Sequence, residues 1–157
     1  MTNQGSSSLD DLVDFLGHSV QRGEYEVVSE LFRSVGKNAE DYLRENPEKI
    51  RIKKNHFAYL DCSCLGLTAL PVNIGRLELL ETLDVGDNEL TFLPESIGRL
   101  PSLKELYVDF NELTSLPEGI GRLGLLEILY VNRNRLDKKA IELCSQLRSK
   151  GVSVYRF

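Results

Sequence analysis

This chain of 157 residues contains only two histidines and three cysteines, the residue types most often used as nucleophiles, general bases or zinc ligands. His18 and His56 are the two histidines, and neither has a nucleophile or a further metal ligand at a meaningful spacing. Cys62 and Cys64 are two residues apart, but a metal site would need more ligands than these. The glycines form neither a dinucleotide-binding motif nor a phosphate-binding loop. We therefore expect no enzyme activity, no cofactor and no metal centre. The alternative, an unfamiliar active site at Cys64, would require an unusually reactive thiol.

A repeat of 23 residues determines where most of the other side chains lie. Its first copy begins at Phe57, and later copies begin at Leu80, Leu103 and Leu126. In each copy the stretch LxxLxV alternates apolar and polar residues, which is typical of a strand with one buried face. A single copy cannot bury that face, so neighbouring copies must stack and pair their strands in parallel. The spacing predicts five strands, near residues 58–62, 81–85, 104–108, 127–131 and 151–155.

Asparagines recur where the chain leaves the predicted strands, at Asn88, Asn111 and Asn134. A buried amide there can bond backbone groups of its own turn and of the adjacent repeat, so we expect a ladder of side-chain hydrogen bonds. The returning half of each copy reads LPVNIGRL, LPESIGRL or LPEGIGRL. Proline suits an irregular outer wall, and the isoleucines and leucines fill the core from behind. The glycines could supply a backbone turn without a steric penalty. These glycines are Gly75, Gly98 and Gly121.

The form LPxxIGxLxxLxxLxVxxN resembles the leucine-rich-repeat family over residues 57–157. It is similar in particular to the subclass of animal Ras-suppressor proteins and plant intracellular Ras-group-related proteins, and similar repeats are frequent in bacterial proteins. The resemblance implies a curved α/β solenoid with a parallel sheet on its concave face, commonly used to bind proteins. It also implies a small GTPase or another signalling protein as the kind of partner. Two positions depart from the form, since Leu65 replaces the first ladder asparagine and Lys139-Ala140 replaces an LP pair.

A solenoid exposes its core at each end unless other elements cover it. We assign residues 1–7 to a flexible tail and residues 8–56 to a helical N-terminal capping region; an independent helical docking domain is the alternative. The apolar stripes of its three expected helices are Leu9, Leu12, Val13, Leu16 and Val20, then Val28, Leu31, Phe32 and Val35, then Tyr42 and Leu43.

The basic stretch 49–54 and the C-terminal residues complete the two ends. The stretch 49–54 is either a patch for phosphate or lipid or an edge strand guarded by charge, and we favour the strand. The solenoid spans residues 57–157, with a C-terminal cap from 137. Asp137 begins the helix of this cap, Gly151 ends it, and a last strand follows.

Composition and charge exclude several other classes of protein. The net charge of −5 argues against a nucleic-acid partner, because phosphates demand a basic surface. No apolar run approaches the ~20 residues needed to cross a bilayer, and the N-terminus lacks the features of a signal peptide. Three cysteines do not suggest a disulfide framework. We expect a cytoplasmic monomer that inserts into no membrane.

The outward side chains of the predicted sheet form the candidate binding surface. In successive strands the outward position between the two inner apolar residues holds Asp61, Asp84, Tyr107, Tyr130 and Ser153. Exposed aromatics surrounded by charge are typical of a protein interface. The alternative is that sheets simply favour tyrosine and tolerate aspartate at their exits. The expected partner-binding residues are Tyr59, Asp61, Asp84, Asp87, Glu105, Tyr107, Asp109, Phe110, Ile128, Tyr130, Asn132, Arg133 and Tyr155.

Two functions are compatible with such a surface. One is a scaffold or adaptor that binds a protein on the concave face. The other is a pathogen effector or a toxin-neutralising protein that uses the same face against one dedicated target. The convex arginines form a second stripe. It is either a surface for an acidic partner or a solvated face paired with acids such as Glu95 and Glu118, and we favour the solvated face. The arginines are Arg76, Arg99 and Arg122.

Overall fold

The computed structural model describes residues 12–156. A six-stranded sheet spans residues 50–155 of this part of the chain. Five of its strands are parallel and follow one another in chain order, which confirms the predicted α/β repeat fold. They are β4 (His56–Asp61), β5 (Thr82–Asp84), β6 (Glu105–Tyr107), β7 (Ile128–Tyr130) and β8 (Ser153–Tyr155). Leu60, Leu83, Leu106 and Leu129 pair across the sheet and are fully buried, as the repeat requires.

The first predicted helix is wrong, because β1 (Leu12–Phe15) and β2 (His18–Gln21) form an antiparallel hairpin. Its turn consists of Leu16 and Gly17, whose φ angles of 54° and 78° match the two-residue turns that join twisted strands. The spacing of the apolar residues predicted a helix because two strands of four residues are too short to show a clear alternation. Ser8 and Leu9, which belong to the same prediction, lie outside the described residues.

Two helices and an edge strand follow the hairpin. Helix α1 (Arg22–Arg33) and helix α2 (Ala39–Glu45) take the places expected for the second and third helices. A short 3₁₀ turn, Pro47–Lys49, leads into β3 (Ile50–Lys53), which pairs antiparallel with β4 at the edge of the sheet. The isoleucines of β3 are half-buried and its charged residues are exposed, which agrees with the edge-strand interpretation.

Short 3₁₀ segments return the chain behind the sheet, at Ile74–Arg76, Glu95–Arg99 and Glu118–Arg122. Their glycines do not serve as turns, since the φ angles of Gly75, Gly98 and Gly121 are not positive. They permit close packing instead. A Cβ on Gly98 would lie 2.5 Å from the backbone of Gly119 in the next repeat, and one on Gly75 would overlap the carbonyl oxygen of Ser96. The small residue therefore sets how closely adjacent repeats approach on this side.

The C-terminal end consists of helix α3 (Lys138–Ser149) and β8. The Asp137 side chain accepts a hydrogen bond from the Ala140 N–H at 2.8 Å, and Gly151 follows the helix with a φ of 93°. At the far edge of the sheet, Arg148 donates from Nε and Nη2 to the Val154 carbonyl, at 3.2 and 2.6 Å. This pair of bonds satisfies a carbonyl that no further strand reaches.

The pairing of β8 differs from the expected one by two residues. We expected Ser153 beside Tyr130, at the 23-residue spacing, but Tyr155 pairs with Tyr130 and Val154 with Leu129. The physical reason is that α3 replaces the extended return of the other repeats. The chain then needs 25 residues, rather than 23, to travel from Tyr130 to the matching position.

The asparagine ladder is present. Asn88 Nδ2 donates to the carbonyl of Cys62 in the preceding repeat and to that of Val85 in its own, both at 3.0 Å. Its Oδ1 accepts from the N–H groups of Leu65 and Leu67, at 3.1 and 2.9 Å. Asn111 and Asn134 repeat this pattern one and two repeats later. Each amide therefore holds the turn of the repeat before it.

We predict that Asn111→Ala lowers the free energy of unfolding by ~1–3 kcal/mol, because it leaves buried carbonyl and N–H groups without partners. Denaturant unfolding followed by circular dichroism measures this loss. Asn132→Ala, two residues after the end of β7, is the matched control, since the buried Oδ1 of Asn132 has no hydrogen-bond partner among the described residues. An equal decrease in the free energy of unfolding in the two variants would show that the asparagine ladder does not stabilise the stacked repeats.

Candidate functional site

The parallel pairing places three tyrosines side by side on the outward face of the sheet, which we call the concave face. Tyr107, Tyr130 and Tyr155 occupy the same position in β6, β7 and β8. Their ring centroids are 4.9 and 4.3 Å apart, and the interplanar angles are 15° and 10°. We call these three rings the tyrosine stack. The sequence predicted the first pair, whereas the third ring joins because of the changed pairing of β8.

Neighbouring groups hold Tyr107 as a neutral hydrogen-bond donor. Its hydroxyl donates to Glu105 Oε2 at 3.1 Å. Partial burial and this carboxylate raise the pKa of Tyr107 to about 12. The phenol therefore stays protonated across the physiological range, and Glu105 fixes the direction of its hydroxyl. Glu105 pairs with Ile128 on β7, so both of these expected partner-binding residues lie beside the stack.

Two aspartates continue the tyrosine column toward the N-terminal end, in different environments. Asp61 accepts hydrogen bonds from Lys49 Nζ at 2.8 Å and from Ser63 N and Oγ at 2.9 and 2.6 Å. Burial would raise the pKa of Asp61, but these bonds from Lys49 and Ser63 lower it below its ordinary value. Asp84 accepts a bond from the Gly86 N–H at 2.9 Å. Burial, together with the carboxylates of Asp61 and Asp109, raises the pKa of Asp84 despite that bond.

The residues at the strand exits share a left-handed backbone. Cys64, Asp87, Phe110 and Arg133 have φ angles between 49° and 58°, so the conformation belongs to the turn of the repeat rather than to one side chain. Phe110, three residues after Tyr107, is 50% exposed. Cys64 Sγ donates to Asp87 Oδ2 at 3.2 Å, and this bond raises the pKa of the Cys64 thiol. A raised pKa makes a thiol less nucleophilic at neutral pH, which disfavours an active site at Cys64.

Two basic residues of the edge strand region contact the concave face, and the sequence did not reveal them. Lys49 binds Asp61, as described above. The guanidinium of Arg51 lies 4.3 Å from the centroid of the Tyr59 ring, so this expected partner-binding residue is already covered. The antiparallel pairing of β3 with β4 brings both contacts about. The alternation of IRIK predicted that the charged residues lie on one side of a strand. It did not predict which strand would be the neighbour of this one.

The metal and membrane findings concern the described residues. Within 12–156, no group of three or more histidines, cysteines, aspartates and glutamates is arranged to hold a metal ion. Over the same range, no helix combines the length and apolar character that crossing a membrane requires.

Comparison with known families assigns the chain. Residues 45–149 match a family described as a leucine-rich repeat region. The match spans well over half of the chain, and the chain therefore belongs to the leucine-rich repeat family. Membership indicates a protein-interaction module in general terms and points to a binding fold rather than to an enzyme. No match was found among the curated proteins.

A solved structure agrees with this assignment. A leucine-rich repeat protein of Leptospira interrogans is 32% identical to this chain, with a TM-score of 0.54. The alignment covers 61% of this chain and 24% of that protein, so the chain corresponds to about a quarter of its length. The similarity supports the stacked-repeat architecture.

We predict that Asp84→Asn stabilises the fold at neutral pH, because the asparagine oxygen can still accept from the Gly86 N–H while the half-buried charge is removed. Since the folded-state pKa of Asp84 is raised, wild-type stability falls as pH rises from the ordinary value of 3.8 through the raised one. The melting-temperature advantage of the variant should therefore be small in acid and grow toward neutral pH. Asp14→Asn, at an exposed position, is the control. An Asp84→Asn variant that melts below wild type at pH 7 would contradict this account.

Proposed function

We propose that the chain is a scaffold or adaptor that binds a partner protein on its concave face, around the tyrosine stack. The observation that carries this proposal is that three adjacent rings lie outside the core. Leu106, Leu129 and Val154 fill the interior of the same strands, whereas Tyr155 is 46% exposed. Packing of the core does not require three aromatic rings on the opposite side of the sheet.

The stack also has the physical properties of a binding anchor. Aromatic side chains bury much area and lose little rotamer freedom, so they are enriched among residues that dominate binding energy. Stacked neighbours hold one another, and the hydroxyl of Tyr107 is held by Glu105. A partner would therefore meet rings that are already ordered, and little ordering entropy would oppose binding.

The form of the repeats supports a class of partner. Because LPxxIGxL repeats are similar to those of Ras-pathway scaffolds, a small GTPase or another signalling protein is the partner we propose. We further propose that the chain acts as a cytoplasmic monomer. Affinity capture with the full chain, followed by mass spectrometry, identifies the partner.

We predict that Tyr107→Ala combined with Tyr130→Ala weakens partner binding by ~2 kcal/mol or more, which is over tenfold in Kd. The fold should lose only cross-strand contacts worth ~0.2–1 kcal/mol, because both rings lie outside the core. Calorimetric titration with the captured partner measures the affinity, and thermal unfolding measures the stability.

Arg76→Ala combined with Arg99→Ala is the control on the convex side. The expected pairing of the convex arginines with acids is wrong, since among the described residues no carboxylate oxygen lies within 4.0 Å of a nitrogen of Arg76, Arg99 or Arg122. Glu118 pairs with Lys139 at 2.7 Å there. The control should bind as the wild type does. Unchanged affinity in the tyrosine variant together with lost affinity in the arginine variant would assign the partner to the convex side.

We also propose that the N-terminal elements, 12–56, cap the first repeat and that α3 with β8 caps the last. One buried carboxylate supports the N-terminal cap. Glu24 on α1 is 3% exposed, and its Oε1 lies 2.7 Å from His56 Nδ1. The same carboxylate accepts from the N–H groups of Phe57 and Glu78, at 3.0 and 3.1 Å. One side chain thus joins the helix to two points of the first repeat.

We predict that Glu24→Gln destabilises the whole chain by ~1–3 kcal/mol, because an amide NH₂ then faces at least one of the buried donors. Denaturant unfolding measured by both tyrosine fluorescence and circular dichroism reports the stability. Glu26→Gln, two residues along the same helix and exposed, should change it little. A separate early transition of the helices that leaves the repeats intact would favour an independent docking domain instead of a cap.

A further inference from the structure

The two ends of the concave face are covered to different degrees. At the N-terminal end, Lys49 Nζ lies 2.8 Å from Asp61 Oδ2, and the two side chains are only 20% and 17% exposed. The guanidinium of Arg51 covers the ring of Tyr59 there, at 4.3 Å from its centroid. At the C-terminal end, by contrast, Tyr155 is 46% exposed on the last strand of the sheet. The aromatic surface that a partner can reach therefore lies at the C-terminal end of the face.

The tyrosine stack has one free position, at its outer end. Tyr130 lies between two rings, with centroid distances of 4.9 Å to Tyr107 and 4.3 Å to Tyr155. On the inner side of Tyr107 the next strand carries Asp84 at the same position. Tyr155 packs one face of its ring on Tyr130, and no strand of the described chain follows β8 on the other side. The second face of the Tyr155 ring is thus where a further ring could continue the stack.

The backbone at this edge of the sheet is protected against the addition of a partner strand. The Ser153 N–H and the Tyr155 carbonyl bond to residues that flank β7, each at 2.8 Å. Because the groups of successive residues alternate in direction, the N–H and carbonyl of Val154 point away from the sheet. Arg148 Nε and Nη2 already donate to that carbonyl, at 3.2 and 2.6 Å. A charged side chain placed on an edge in this way hinders pairing with another chain. A partner at β8 therefore meets side chains rather than an open backbone.

We propose that the partner protein places an aromatic side chain on the free face of Tyr155, as a fourth ring of the tyrosine stack. This inference rests on the proposed function and adds the chemistry of the partner and its place at the C-terminal edge. The near-parallel rings already present show that this position favours stacking, which strengthens aromatic contacts beyond the burial of area. A partner guanidinium is also planar, but the positive charge of Arg148 at the same edge disfavours a second cation.

The rings of the stack can report on the binding of small probes. The probes are three pentapeptides, GSXSG with X as tryptophan, leucine or arginine, titrated into the full chain and followed by NMR of the tyrosine ring protons. We expect the tryptophan peptide to shift the Tyr155 ring protons upfield, because they would lie over the face of the indole ring. We expect Kd to be about fivefold weaker, or more, for the leucine and arginine peptides.

Three variants test the position itself. Tyr155→Leu keeps an apolar side chain but removes the ring, so it should weaken the tryptophan peptide about fivefold and make it equal to the leucine peptide. Tyr155→Phe keeps the ring and should bind the tryptophan peptide as the wild type does. Tyr59→Leu makes the matched change at the covered end of the face and should leave the Kd of this peptide unchanged. The dispersion of each variant's spectrum shows whether it is folded.

Several outcomes would overturn the stacked ring. They are equal affinity for the tryptophan and leucine peptides, tighter binding of the arginine peptide, and a tryptophan peptide that leaves the Tyr155 ring protons unshifted. A nuclear Overhauser contact between the Val154 N–H and the peptide backbone would show strand addition instead. Shifts of Tyr155 that depend on protein concentration without peptide would show that a second copy of the chain occupies this face.

The captured partner separates this inference from the function on which it rests. If partner affinity falls in the Tyr107→Ala and Tyr130→Ala variant but not in Tyr155→Leu, the concave interface stands and the fourth ring is overturned. If neither variant changes partner affinity, both proposals are overturned. A loss in both variants, together with the upfield shift, supports both.

Discussion

The structure depends on one requirement, which is that every buried turn must find hydrogen-bond partners for its backbone. Stacked repeats have turns at their centre, where water does not reach, and an unpaired carbonyl or N–H group there costs ~1–3 kcal/mol. Asn88 and Asn111 are 9% and 7% exposed and meet this requirement for two repeats at once. Because an amide must lie opposite the same groups in each repeat, the stacking distance and the register are both constrained. The apolar core can then be filled by leucines at equivalent positions.

That constraint also explains how the outward face acquires its pattern. Residues 23 apart in sequence become neighbours in the sheet, so a change of residue type between repeats becomes a change across the surface. The column changes from Asp84 to Tyr107 between β5 and β6, which places carboxylates directly beside aromatic rings. The buried part of the repeat is uniform and the outward part is not. The repeat therefore fixes the positions of the buried residues, and the residues that differ between repeats form the surface for which we propose a binding role.

The repeats could be predicted from the sequence because identical spacing, seen several times, leaves a single register possible. The predictions were wrong or incomplete for the parts of the chain that do not repeat. The hairpin at residues 12–21 has no second copy, and its alternation is too brief to distinguish from a helical stripe. The position of Tyr155 depends on the length of α3, which departs from the repeat. The contacts of Lys49 and Arg51 depend on how β3 pairs with β4. The residue pattern of a single strand does not predict which strand it pairs with.

The direction of the asparagine ladder matters while the chain is being synthesised. Asn88 belongs to the second repeat yet bonds the turn that contains Leu65 and Leu67 in the first, and Asn111 and Asn134 hold the turns before them in the same way. A ribosome delivers the N-terminal repeat first, at ~5–20 residues per second. The polar groups of each turn can therefore form these hydrogen bonds only after the following repeat has been synthesised. The first repeat, which has Leu65 at the ladder position, receives bonds from Asn88 but has no such amide to give to the elements before it.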